Sequence, residues 1–181
     1  PAAFTYMVEG SVVDLLPSQG QRGTEVSLSG SNLCGGGTSI ASVSLGGVAA
    51  TLKDSSTCTL VQFVAGSRNN TAPEAVDVVL ISNTGAIVEG ASRWTYVVVG
   101  QIESVFPPGG VAGTSVTIRG TNLLGGGTAS AGVTLAGVSA SVEFANATHV
   151  TVSANRGTAA GDVVIKSNTG SEVVLEGGYT Y

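Results

Sequence analysis

Charge is scarce in this chain: only 10% of its 181 residues are Asp, Glu, Lys or Arg, and the seven Lys and Arg stand singly. Without a basic stripe nothing is placed to neutralise a phosphate backbone, which excludes nucleic acid as a partner. Histidine is also rare. A triad would need the lone His149 beside an activated Ser and a carboxylate, and its half of the chain offers only Glu103, Glu143, Asp162, Glu172 and Glu176. His149 stands among apolar residues and Thr, matches Thr59 or Leu60 of the first half, and reads as an ordinary strand residue. Asp14, Asp54, Asp77 and Asp162 lie far apart, so no acidic cluster suggests calcium, and Asp77 and Asp162, at one repeat position, are expected to flank a turn. The expectation is a non-enzyme without a cofactor. No apolar run approaches the roughly 18–20 residues of a membrane span, so direct membrane insertion of this segment is not expected either.

What the chain does have is 27 Gly, many β-branched residues and a 43% apolar fraction, too hydrophobic for a disordered polymer of low charge. Gly-punctuated runs of Val, Ile, Leu and Thr are the signature of short strands and tight turns. The chain also repeats itself. Phe4-Thr5-Tyr6, Trp94-Thr95-Tyr96 and Tyr179-Thr180-Tyr181 are spaced by 96 − 6 = 90 and 181 − 96 = 85 residues. Gly23-Thr24, Gly30-Ser31-Asn32-Leu33 and Gly35-Gly36-Gly37-Thr38 recur 90 residues later, as Gly113-Thr114, Gly120-Thr121-Asn122-Leu123 and Gly125-Gly126-Gly127-Thr128. Asp77-Val78-Val79 and Ser82-Asn83-Thr84-Gly85 recur only 85 later, so the first unit holds five extra residues, placed most simply between Gly66 and Ala75.

Two units follow: residues 11–97 and 98–181, with 1–10 read as the end of a preceding repeat plus a linker. The second unit shows its strands most plainly. Ser115 to Arg119 alternates with period two, facing Val116 and Ile118 one way. Ile102–Phe106, Val133–Leu135, Ser141–Phe144, Val150–Val152, Val163–Ile165 and Val173–Leu175 complete about seven strands. No segment has a helical period. The expected fold is all-β, two tandem immunoglobulin-like β-sandwiches.

The order of motifs resembles the IPT/TIG family, the immunoglobulin-like (early E-set-like) fold of plexins and transcription factors. A first strand runs into Pro and Gly at Val105 to Gly110. Gly113-Thr114, a strand, Gly120-Thr121-Asn122-Leu123 and a closing strand ending Tyr-x-Tyr follow, and the first unit runs through the same order. The resemblance implies a sandwich used in receptor and adhesin stalks, in accessory modules of starch-acting enzymes or in DNA-binding factors. The basic contact loops of the last group are missing here.

Within such a sandwich the strand before Cys34 pairs antiparallel with the strand after Cys58, which brings the two thiols into disulfide range. A bridge there closes a loop of 58 − 34 = 24 residues and would be confined to the first unit; two buried free thiols are the alternative. The second unit has Leu124 in place of Cys34, and Ala147 or Thr148 in place of Cys58. Asn69-Asn70-Thr71 and Asn146-Ala147-Thr148 are N-glycosylation triplets at Asn69 and Asn146. The triple glycines lack the Gly-Lys-Ser/Thr ending and the following helix of a phosphate loop. Trp94 and Tyr96 invite a sugar-stacking reading, but a repeated closing-strand position is first a core position. Val97, Val98 and Val99 form a short apolar linker, expected to pack at the domain junction and stiffen it.

These observations point to a non-catalytic extracellular or cell-surface structural and adhesive module. It would be a segment of a longer tandem array, partnered by another protein or by neighbouring repeats, with glycans as a further class. The alternative is a carbohydrate-binding accessory module of a secreted polysaccharide-acting enzyme, which an exposed Trp94 would favour and a buried one weaken.

Overall fold

The computed structural model describes residues 6–181; Phe4 and Thr5 of the first aromatic tripeptide lie outside the described residues. Among the described residues all regular structure is β. Fifteen strands run in chain order as β1 (Ser11–Leu16), β2 (Gln19–Gly20), β3 (Glu25–Ser31), β4 (Ile40–Leu45), β5 (Val48–Leu52), β6 (Leu60–Val64), β7 (Glu74–Ser82), β8 (Ile87–Tyr96), β9 (Gln101–Phe106), β10 (Ser115–Thr121), β11 (Ser130–Leu135), β12 (Val138–Ala145), β13 (His149–Ser153), β14 (Ala160–Ser167) and β15 (Glu172–Thr180).

The chain forms two compact units. One comprises the residues up to Gln19 with Glu25–Arg68 and Pro73–Tyr96; the other comprises Gly20–Thr24, Asn69–Ala72 and Val97–Tyr181. The strands of the first are hydrogen-bonded in the order β1-β3-β6-β5-β4-β7-β8-β2, those of the second as β15-β14-β11-β12-β13-β10-β9. Each unit is a sandwich whose two layers share one strand. In the first, β5 pairs with β4 through Val48–Ala50 and with β6 through Thr51 and Leu52. In the second, β12 pairs with β11 through Val138–Ala140 and with β13 through Ser141–Ala145.

Period-two alternation fills each core. Val26, Leu28, Val43, Leu45, Val61, Phe63, Val78 and Leu80 are buried in the first unit. Val116, Ile118, Val133, Leu135, Val150, Val152, Val163 and Ile165 are buried in the second. At roughly 1.5–3 kcal/mol per buried aliphatic side chain, these two sets are the main reason each unit folds.

The repeated motifs have local jobs. Gly113 adopts φ 87°, which a β-branched residue would not tolerate, and closes a turn in which Val111 N–H donates to Thr114 Oγ1 at 3.1 Å. Gly120 lies where β9 and β10 approach, so that a Cβ there would collide with the Gln101 carbonyl. Asn122, two residues on, takes φ 47°, and Leu123 is fully buried.

The five extra residues of the first unit are split. Val26 pairs with Phe63 as Val116 pairs with Val152, so the offset there is 152 − 63 = 89. One extra residue therefore precedes Phe63, and four fall between it and Asp77, where the offset becomes 162 − 77 = 85.

Candidate functional site

Asp77 and Asp162 stand within strands rather than beside a turn. The Ser92 N–H donates to Asp77 Oδ1 at 2.7 Å and the Gly177 N–H to Asp162 Oδ1 at 2.9 Å. Ser92 and Gly177 have φ of 48° and 61°, and the register of each strand pair shifts beside the Asp, between Val76 and Val78 and between Gly161 and Val163. Both carboxylates therefore hold bulges in the last strand pair of their units.

The triple-glycine loops are likewise architectural. Asn83 Oδ1 accepts the Thr38 N–H at 3.0 Å while its Nδ2 donates to Thr38 Oγ1 at 2.9 Å. Asn168 does the same to Thr128, both at 3.0 Å. Each loop is thereby tied to the turn between its unit's last two strands. No group of three or more His, Cys, Asp or Glu is arranged to hold a metal ion among the described residues.

Cys34 and Cys58 form a disulfide with a Cα–Cα separation of 5.1 Å. Antiparallel pairing of β3 with β6 continues beyond the strand ends, with Gly30 N–H donating to Thr59 O at 3.0 Å and Leu33 N–H to Cys58 O at 2.9 Å. In the second unit Leu123 N–H donates to Ala147 O, so Ala147 stands where Cys58 does.

Trp94 and Tyr96 are fully buried, and their rings meet edge to face with centroids 5.8 Å apart. Neither offers a ring face to a sugar. Burial pushes the Tyr96 phenol up to about 12, opposed by the nearby Arg68 guanidinium, which sits 5.7 Å from the ring centroid. The Trp94 indole N–H has no hydrogen-bond partner. Tyr179 is equally buried and meets Tyr181 in the same edge-to-face manner, centroids 5.1 Å apart.

Of the other sequence candidates, Asn69 and Asn146 are exposed, Val97 and Val98 are half-buried and Val99 is exposed. Asn146 Oδ1 accepts the N–H of Thr148 at 2.8 Å and of His149 at 2.7 Å, an Asx turn at the start of β13. His149 is a half-buried strand residue in register with Arg119, as Leu60 is with Ser29 in the first unit. The structure brings Cys34 and Cys58 together and Trp94 and Tyr96 together.

Strand order, shared strand, Asp-held bulge and Tyr-x-Tyr ending are thus all in place in the second unit. Residues 101–181 match the IPT/TIG domain. The fold of the whole chain also has likenesses among solved structures. The full extracellular region of plexin A4, domains 1 to 10, superimposes with a TM-score of 0.57 at 16% identity, covering 98% of this chain and 16% of that one. A second plexin A4 structure, with domains 1 to 8, gives 0.53 at 16% identity, covering 98% of this chain and 18% of that one. At these identities the likeness is one of fold, and the chain spans less than a fifth of either plexin chain. SGBP-B from a complex xyloglucan utilization locus in Bacteroides uniformis aligns at a TM-score of 0.39 and 17% identity, covering 97% of this chain and 49% of that one. No curated protein matches the chain.

Proposed function

We propose that this chain is a non-catalytic, extracellular structural and adhesive segment: consecutive IPT/TIG-type sandwiches that act as a semi-rigid spacer and present sheet faces to a protein partner or to neighbouring repeats. One observation carries the reading. The repeated motifs in both units are consumed by architecture, as Asn83 and Asn168 pin loops and Asp77 and Asp162 hold bulges. What is replicated is therefore a building block and not a reactive site.

The Cys34–Cys58 bridge supports an oxidising compartment, because structural disulfides persist outside the reducing cytosol. Glycans at the exposed Asn69 and Asn146 belong to the same reading. In it Val97, Val98 and Val99 stiffen the junction. Small-angle scattering on the intact chain tests this: one fixed arrangement of two sandwiches fitting the curve is the expected result, and a curve needing freely reorienting units overturns it. Intact mass of protein from its native source reads glycan occupancy independently.

The alternative, a carbohydrate-binding accessory module built on Trp94, draws no support from a fully buried indole.

A further inference from the structure

The second unit exposes two phenylalanines that its core does not use. Phe106 is 76% exposed on β9 and Phe144 is 53% exposed on β12. Strand register places them in one line. Phe106 is paired with Thr117, Thr117 with Thr151, and Thr151 with Phe144. Directly paired residues project to the same side of a sheet, and Val116, Ile118, Val150 and Val152 point inward between them. The row Phe106–Thr117–Thr151–Phe144 therefore lies across the outward face of the β9-β10-β13-β12 layer. Three strand spacings set the two aromatic ends about 14 Å apart. A second outward pair adjoins the row: Arg119 Nη1 lies 2.7 Å from His149 Nε2. A guanidinium only donates, so Nε2 accepts and the ring proton sits on Nδ1, 3.1 Å from Thr148 Oγ1.

The first unit is an internal control. Its matching row is Leu16–Ser27–Gln62, with the Lys53 N–H donating to the Gln62 carbonyl where Phe144 stands in the second unit. Ser29 and Leu60 replace Arg119 and His149. The same sandwich forms without either aromatic, so the fold does not require them. Exposed apolar surface that the fold does not need marks a binding face.

We infer that the outward face of the β9-β10-β13-β12 layer is a binding platform for an extended, uncharged oligosaccharide, with sugar faces on Phe106 and Phe144 and hydroxyls along Thr117, Thr151 and Arg119. Flat rings with polar groups between them suit a ligand that is apolar on its faces and hydroxylated at its edges. Charge complementarity favours a neutral chain. Arg119 makes no ion pair among the described residues, and the exposed Glu103 and Glu143 lie on the flanking strands, so the face carries no sign that would draw a polyanion. β10 and β13 are paired along both edges, so the middle of the row offers side chains and no open strand edge. This inference goes beyond the spacer reading and does not depend on it.

Affinity electrophoresis of the intact chain tests it. The protein is made without N-glycans, since a glycan on Asn146 would crowd Phe144. Neutral probes are mixed-linkage β-glucan, arabinoxylan and galactomannan; polygalacturonate is the anionic probe. Retardation by at least one neutral probe is expected, weakened tenfold or more in the Phe106→Ala/Phe144→Ala double variant and in Thr151→Arg, and unchanged in Leu16→Ala. Circular dichroism matching the parent establishes that each variant is folded. No retardation by any neutral probe, retardation by polygalacturonate alone, or retardation that survives both the double variant and Thr151→Arg overturns the proposal.

Discussion

Asn168 grips Thr128 at two points, its carbonyl oxygen taking the Thr128 N–H and its amide donating to the Thr128 hydroxyl, both at 3.0 Å. This clasp joins the glycine-rich loop to the turn before the last strand, and the first unit repeats it between Asn83 and Thr38. Asn168→Ala removes both bonds and leaves the backbone tie from the Asn168 N–H to the Ala129 carbonyl oxygen. At about 0.5–1.5 kcal/mol for each bond, the urea midpoint of the second unit is expected to fall measurably, while Thr128→Ser, which keeps the hydroxyl, stays near the parent.

The disulfide divides the units by redox sensitivity. Reduction, or the paired change Cys34→Ala with Cys58→Ala, reopens a loop of 24 residues in the unfolded chain. The loss is about 3 kcal/mol in the chain-entropy account. Calorimetry with and without reductant is expected to show a transition of the first unit moving down while that of the second stays in place. Equal shifts in both would contradict the assignment.

Trp94 reports its own surroundings. Fully buried against Tyr96, it is expected to emit at short wavelength and resist iodide quenching until the first unit unfolds. Trp94→Ala costs about 3–5 kcal/mol by the cavity it leaves. Trp94→Phe costs less, because it also removes an indole N–H that has no partner.

Alkali acts through Tyr96. Its folded phenol titrates at about 12 against an ordinary value of 10.0. Between those values the unfolded chain releases the proton and the folded one keeps it, so the stability of the first unit falls as pH rises. The slope approaches about 1.4 kcal/mol per pH unit. Tyr96→Phe is expected to flatten it in denaturant titrations between pH 10 and pH 12.

Much of the fold was legible in the sequence because its cause is local. Alternation at Ser115 to Arg119 and the repeated Gly-x-Asn-Leu need only a strand and a turn to express themselves. The Cys34–Cys58 bridge was legible once strand pairing was assumed, since pairing alone sets which strand ends meet. Asp77 and Asp162 were misplaced beside a turn: a bulge in mid-strand arises from the register between two strands, and a single strand carries no mark of it. Phe106 and Phe144 passed unnoticed as a pair for the same reason. They are 38 residues apart in sequence (144 − 106) and become neighbours on one face only through two intervening strands.

The strands shared between layers bear on how the sandwiches fail. Because β5 and β12 each cross from one layer to the other, a layer cannot peel away without tearing a strand that the other layer also holds. Separating the two layers breaks pairing in both at once, so each sandwich is expected to give way in a single step under tension, and a chain of them to lengthen in discrete jumps.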